Sequence, residues 1–172
     1  VHNALSFTKH CVETVLASTN NFRFIFVDDY SDEETAQYLR ELAKQHKSSL
    51  LIRTNKQKWF SRASNIGLRM VKTPKAVLLN SDCEVNVGWL EELYDVWNKF
   101  EQENPGRPLA LVGATLSMED TRAYIEHSVK QPSYVTGHCW LISMKVFEDM
   151  AIRRGTPGWY FNEIDQGQIH IA

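Results

Sequence analysis

A chain of 172 residues with 43% hydrophobic and 23% charged residues has the balance of one globular domain, large enough to bury a substantial core. Its net charge of -2 excludes a broad nucleic-acid footprint, which needs a basic excess, and no apolar run is long enough to span a membrane. Cys11, Cys83 and Cys139 have no CxxC spacing, so the pattern indicates neither a disulfide framework nor a zinc knuckle. A reducing compartment is expected, with the protein cytoplasmic, free or peripheral at the inner face of the membrane.

Residues 4–18 are predicted helical, with Leu5, Val12, Val15 and Leu16 near one face. The chain enters that helix directly from Val1-His2-Asn3, leaving little room for a first strand, so a fragment of a longer protein is expected. Phe24-Ile25-Phe26-Val27 reads as a buried strand that stops at Asp28-Asp29-Tyr30-Ser31-Asp32. Ser31 with Glu34 has the spacing of a capping box, and the helix it starts carries Ala36, Leu39, Leu42 and Ala43 inward. A short strand at 50–52 and a polar turn precede a helix over about 61–71, expected to turn Ala63, Ile66 and Met70 inward.

The unbroken apolar run Ala76-Val77-Leu78-Leu79 predicts a strand buried on both faces, ending at Asn80-Ser81-Asp82-Cys83-Glu84. Trp89, Leu90, Leu93, Trp97 and Phe100 recur at helical spacing, and the two tryptophans are assigned to the core. Further elements are a strand over 109–116, a strand or short helix over 124–129, an interrupted strand over 134–143 and a helix over 145–152. The order predicts an α/β fold, a mostly parallel central sheet with helices on both faces. In such sheets ligands bind outside the carboxyl ends of the strands, which makes Asn80, Asp82 and Glu84 candidate site residues and Asp82 the first candidate metal ligand. A third acidic site is Asn162-Glu163-Ile164-Asp165, which also suits a helix amino end. No dinucleotide fingerprint, P-loop, HExxH or GxSxG pattern occurs. Of the histidines, His2 and His138 are the pocket candidates.

Three ordered stretches carry a resemblance: residues 27–32, then Asn55 through Phe60-Ser61-Arg62-Ala63-Ser64-Asn65-Ile66-Gly67-Leu68, then Leu79-Asn80-Ser81-Asp82 with Gly88-Trp89-Leu90. Together they look like the successive signatures of family 2 glycosyltransferases, and Asn162-Glu163-Ile164-Asp165 is similar to that family's late acidic motif. The resemblance implies a single GT-A domain, a Rossmann-like nucleotide-binding sandwich, truncated at its first strand and at its acceptor region. Asp29 would then hydrogen-bond the nucleotide base, with His2 stacked beside it and Arg62 near the phosphates. Asn80 would meet the ribose, and Asp82, joined by Glu84, would hold Mn2+ or Mg2+ on the diphosphate. Glu163, with Asp165 beside it, would supply the catalytic base. The sequence departs from the family pattern at Asn80, where an acid is common, and at Trp59, where a glycine is usual.

The chemistry has its own logic. A departing diphosphate needs a hard cation to neutralise its charge, and an acceptor alcohol needs a carboxylate to take its proton. The expected activity is inverting transfer from a UDP- or dTDP-sugar to a carbohydrate, lipid-linked or protein acceptor, as in cell-surface polysaccharide biosynthesis. Two alternatives stay open: an inactive nucleotide-binding module of the same fold, and a nucleotidyltransferase, for which a glycine-rich basic loop near the start is lacking.

Overall fold

The computed structural model describes residues 1–113 and 138–156. The expected elements over 124–129 and the acidic motif at Asn162-Glu163-Ile164-Asp165 lie outside the described residues.

The element order is α1 (Leu5–Ser18), β1 (Ile25–Asp28), α2 (Glu33–Gln45), β2 (Leu50–Arg53), α3 (Trp59–Leu68), β3 (Lys75–Leu79), α4 (Trp89–Glu103), β4 (Leu111–Gly113), β5 (Cys139–Ser143) and α5 (Met144–Arg153). The alternation of strand and helix is the α/β order expected. β1 and β2 pair in parallel, from Ile25 opposite Leu50 to Asp28 opposite Arg53. β5 lies between β3 and β4 and runs antiparallel to both, so β3 and β4 share a direction and the architecture is mixed.

β5 explains this arrangement through its composition. Cys139, Trp140, Leu141 and Ile142 are all buried, as a central strand covered on both faces requires. Successive side chains alternate between faces. Trp140 and Ile142 pack with Leu68 of α3 and Phe147 of α5, while Cys139 and Leu141 pack with Leu93 and Trp97 of α4. Helices therefore cover both faces. A third cluster, Val12, Phe26, Leu39 and Leu42, joins α1 and α2 to β1. Truncating a filled core position such as Phe147 to alanine costs about 3–5 kcal/mol.

Two local expectations change. The side chain that caps α2 is Asp32, which accepts the Thr35 N–H at 2.8 Å, rather than Ser31. Ser31 is buried, and its hydroxyl oxygen instead accepts the Asn3 N–H at 3.0 Å. α3 buries Ser64, Asn65 and Leu68 rather than Ala63, Ile66 and Met70, and it ends before Met70, which is 38% exposed. Gly67 sets that face. A Cβ there would stand 3.1 Å from Val27 Cγ2, so helix and strand approach more closely than a larger residue allows. Among the described residues, no helix is long and apolar enough to cross a membrane.

Candidate functional site

The carboxyl ends of β1 and β3 open onto one cleft of about 1160 Å³, and His2, Asp29, Trp59, Asn80, Ser81 and Asp82 are among the residues lining it. Of the residues singled out in the sequence, His2, Asp29, Asn80 and Asp82 are thus brought together, although they come from segments up to 80 positions apart. Arg62 is exposed on α3 and is not among the cleft-lining residues. Glu84 is also outside that set, its carboxylate lying 3.2 Å from His10 Nε2 on α1. Glu163 and Asp165 lie outside the described residues.

The two acids at the end of β1 point in different directions, as neighbours on an extended strand do. Asp28 is buried against Arg53, whose Nη1 donates to Oδ2 at 2.6 Å, and it also accepts the Ser31 N–H at 2.9 Å. Arg53 Nη2 donates to the Ser31 carbonyl at 2.8 Å, so the pair braces the turn after β1. The sequence reading assigned Asp28 and Arg53 no role. Their opposition follows from the parallel register of β1 and β2, which the sequence does not display.

Asp29 is buried and faces α3. Its Oδ1 accepts the Lys58 N–H at 2.7 Å and the Thr54 hydroxyl at 3.1 Å, and its Oδ2 accepts the Trp59 N–H at 2.8 Å. α3 has no side-chain cap of its own at Lys58, so Asp29 satisfies donors that a helix start leaves unpaired. A carboxylate offers about four lone-pair sites, so about one remains on Asp29 for a ligand. Trp59 takes φ +64°, the left-handed region, at the position where the family's glycine is usual.

The segment 1–3 is fastened to the same turn. Val1 donates to the Val27 carbonyl at 2.8 Å, Asp29 N–H donates to the Val1 carbonyl at 2.7 Å, and Asp32 N–H donates to Asn3 Oδ1 at 2.7 Å. His2 Nδ1 lies 2.7 Å from the Asp29 carbonyl, which can only accept, so this nitrogen carries the proton. The ring is thereby held at the lip of the cleft, exposed.

After β3, the Asn80 N–H donates to the His138 carbonyl at 2.9 Å, which carries the end of β3 one pair beyond its last strand residue. His138 contributes this carbonyl, and its side chain is not among those lining the cleft. Asp82 is exposed on the loop that follows. Behind that loop the three cysteines converge. Cys11 Sγ donates to the Asn80 carbonyl at 3.5 Å and Cys83 Sγ to the His138 carbonyl at 3.4 Å, with Cys139 adjacent in the chain. Burial pushes Cys11 up to about 11 and Cys139 up to about 12, and raises Cys83 as well, so these thiols stay protonated at neutral pH. Among the described residues, no group of three His, Cys, Asp or Glu side chains could hold a metal ion. Of the two carboxylates lining the cleft, Asp29 is buried and engaged by α3, and Asp82 is exposed.

The model of the family described as Glycosyl transferase family 2 matches residues 1–151. A Drosophila melanogaster protein provisionally named polypeptide N-acetylgalactosaminyltransferase 9 is 35% identical over 74 residues, 42% of this chain and 11% of that protein. The structure is similar to a mannosyltransferase from Pyrobaculum calidifontis, PcManGT, solved with GDP-Man and Mn2+, at TM-score 0.68 and 13% identity over 94% of this chain and 45% of that one. It is also similar to residues 1–349 of S. aureus TarS, at TM-score 0.61 and 14% identity over 97% of this chain and 50% of that one. The chain thus spans half or less of each of these proteins. The structural likeness shows the GT-A fold, and the family match covers both acidic strand ends of the cleft. The chain belongs to glycosyl transferase family 2.

Proposed function

We propose that this chain is the donor-binding part of an inverting glycosyltransferase that moves a sugar from a nucleoside-diphosphate sugar to an acceptor hydroxyl. The observation that carries this reading is the convergence of His2, Asp29, Asn80 and Asp82 on one cleft in a family 2 chain. In this reading the remaining lone pair of Asp29 accepts the imide N–H of a uracil or thymine base, which favours UDP- or dTDP-sugars. The Nδ1–H bond of His2 to the Asp29 carbonyl holds its ring ready to stack on that base. Asn80 hydrogen-bonds the ribose.

Asp82 fits a Mn2+ or Mg2+ ion of the kind that takes one or two carboxylates together with phosphate oxygens. Glu84, engaged by His10, does not complete a pair with it in this arrangement. Such an ion, when bound, neutralises the charge developing on the departing diphosphate. The Mn2+ and GDP-Man named with the mannosyltransferase neighbour support a metal-assisted nucleotide-sugar reaction here. Glu163 takes the proton of the acceptor hydroxyl as its oxygen attacks the anomeric carbon, and the single displacement inverts that centre. The stretch shared with a polypeptide N-acetylgalactosaminyltransferase supports a protein among the possible acceptor classes.

Asn80, an amide where the family commonly carries an acid, favours a second reading, a nucleotide-binding module without turnover. Calorimetry with UDP, dTDP and ADP, with and without Mn2+, tests the site, and release of nucleoside diphosphate from a panel of sugar nucleotides tests turnover. The proposal expects metal-dependent binding of UDP or dTDP above ADP, with nucleoside diphosphate released. Binding without turnover by a chain extended through the acceptor region selects the second reading, pyrophosphate release indicates a nucleotidyltransferase, and equal binding of ADP overturns the base assignment.

A further inference from the structure

Two of the described aromatic residues take left-handed backbone, Tyr30 at φ +62° and Trp59 at φ +64°. Both adjoin Asp29, the first as its neighbour in the chain and the second through a hydrogen bond to its carboxylate. For a bulky side chain this conformation is an outlier, and it persists only where the surroundings impose it. At Trp59 the cause is visible. Lys58, at φ -109° and ψ -11°, and then Trp59 make a right-handed and left-handed pair, the nest in which successive main-chain N–H groups close on an anion. The anion is the Asp29 carboxylate, whose Oδ1 accepts the Lys58 N–H at 2.7 Å and whose Oδ2 accepts the Trp59 N–H at 2.8 Å. The nest accounts for the backbone and would be served best by a glycine. It does not account for a tryptophan.

Packing does not account for it either. Trp97 and Trp140 are buried in the core, whereas Trp59 is 68% exposed, so its ring gains little from the protein in return for the strained backbone. What the ring has is a place on the cleft. Trp59 lines it, and Tyr30 is not among the lining residues. The Trp59 main-chain nitrogen holds the same carboxylate that has a lone pair left for a ligand, and His2 Nδ1 is held 2.7 Å from the carbonyl of the same residue. Two exposed aromatic rings are thus fastened to Asp29, one through its carboxylate and one through its carbonyl.

We infer, on the basis of the donor-binding reading above, that Trp59 is a nucleotide-binding residue whose indole stacks on the pyrimidine base held by Asp29, on the face opposite His2. A base bound by its imide edge leaves two flat faces, and one ring covers only one of them. The open Asp29 oxygen chooses among bases by accepting the imide N–H, while the indole supplies affinity for any flat base, since every base has a π-face. The left-handed backbone is then kept because it serves the ligand, and the free protein bears its strain. Binding and stability are therefore opposed at this one position.

The test is calorimetry in the full-length protein with UDP, dTDP and pyrophosphate, each with Mn2+, comparing the parent with Trp59→Phe, Trp59→Leu and Trp59→Gly. Trp59→Leu and Trp59→Gly are expected to bind UDP and dTDP about tenfold or more weakly, the effect of removing an aromatic ring from a stacked base. Trp59→Phe should keep most of the affinity, and pyrophosphate, which has no base, should bind all four proteins alike. Urea unfolding of Trp59→Gly separates a ligand contact from a structural role, because relief of the backbone raises the midpoint of the variant that binds more weakly. Equal UDP affinity in all four proteins, an equal loss for pyrophosphate, or weaker binding of UDP joined to a lowered midpoint in Trp59→Gly overturns the assignment of Trp59 and leaves the donor-binding reading standing. A parent that binds neither UDP nor dTDP defeats that reading, and the assignment with it.

Discussion

The Asp29 carboxylate accepts the main-chain N–H of Trp59 at 2.8 Å, tying the end of β1 to the first turn of α3 across 30 positions of sequence. A residue proposed to read the nucleotide base thus also holds the wall of the cleft. Asp29→Ala is expected to strand the Lys58 and Trp59 donors and to destabilise the fold by about 1–3 kcal/mol, on top of any loss of nucleotide affinity. Asp29→Asn, which keeps one acceptor oxygen, should cost less. Urea unfolding of both variants checks the ordering, and equal stability of Asp29→Ala and the parent would contradict the bracing role.

Trp59 occupies a left-handed conformation at φ +64° with its side chain 68% exposed. That backbone costs a non-glycine residue about 1–2 kcal/mol. Trp59→Gly removes the strain and forfeits little packing, at the expense of greater freedom in the unfolded chain, so a net stabilisation of about 0.5–1 kcal/mol is expected. A raised urea midpoint at unchanged m-value is the signature. A lowered midpoint would show that the ring contributes more than its exposure indicates.

Asp82 and Glu84 are expected to behave differently. Asp82→Asn should abolish the Mn2+ dependence of nucleotide binding in calorimetry. Asn80→Ala should leave that dependence largely intact, and so should Glu84→Gln, because the Glu84 carboxylate is engaged by His10. Loss of the metal effect in Glu84→Gln but not in Asp82→Asn would move the ligand two residues along the loop.

For the chemical step, Glu163→Gln is expected to reduce turnover by at least about two orders of magnitude with donor affinity nearly unchanged, the usual contribution of a general base. Asp165→Asn should lower stability more than turnover. The comparison is made in a chain long enough to be active. The reverse pattern exchanges the two roles, and no effect of either change means another group is the base.

Burial raises the Cys11 and Cys139 thiols to about 11 and about 12. The folded state therefore keeps protons that the unfolded chain releases at an ordinary thiol pKa of about 8.5. The stability this contributes is fully present below that pH and is lost as pH rises toward 11 to 12, because the unfolded state then binds fewer protons. Urea midpoints should fall from pH 8.5 to 10.5, and the fall should shrink in Cys11→Ser/Cys139→Ser if that protein folds. At pH 8, native Cys11 and Cys139 should react with iodoacetamide about two orders of magnitude more slowly than after unfolding. A native rate equal to the unfolded one would show that these thiols are not shielded as placed.

What the sequence determined by itself is whatever neighbouring residues encode. Apolar runs and helical periods located each described strand and helix, because side-chain period follows directly from backbone geometry. The abrupt acidic ends after Val27 and Leu79 marked two strand ends that share the cleft, and the ordered motifs named the family. What only the tertiary structure decided is which distant partner each polar group meets. Ser31 and Asp32 are both good caps locally, and the choice fell to Asp32 because Asn3, 28 positions earlier, claims Ser31. The buried face of α3 follows from the approach of Gly67 to Val27. Glu84 stood as a second metal candidate behind Asp82 until α1 brought His10 to it, and three cysteines with no sequence relationship meet because β3, β5 and α1 pack there. Local pattern specifies an element and its period, but an amide, a hydroxyl or a carboxylate takes the nearest complementary group in space, and that neighbour exists only once the strands are in register.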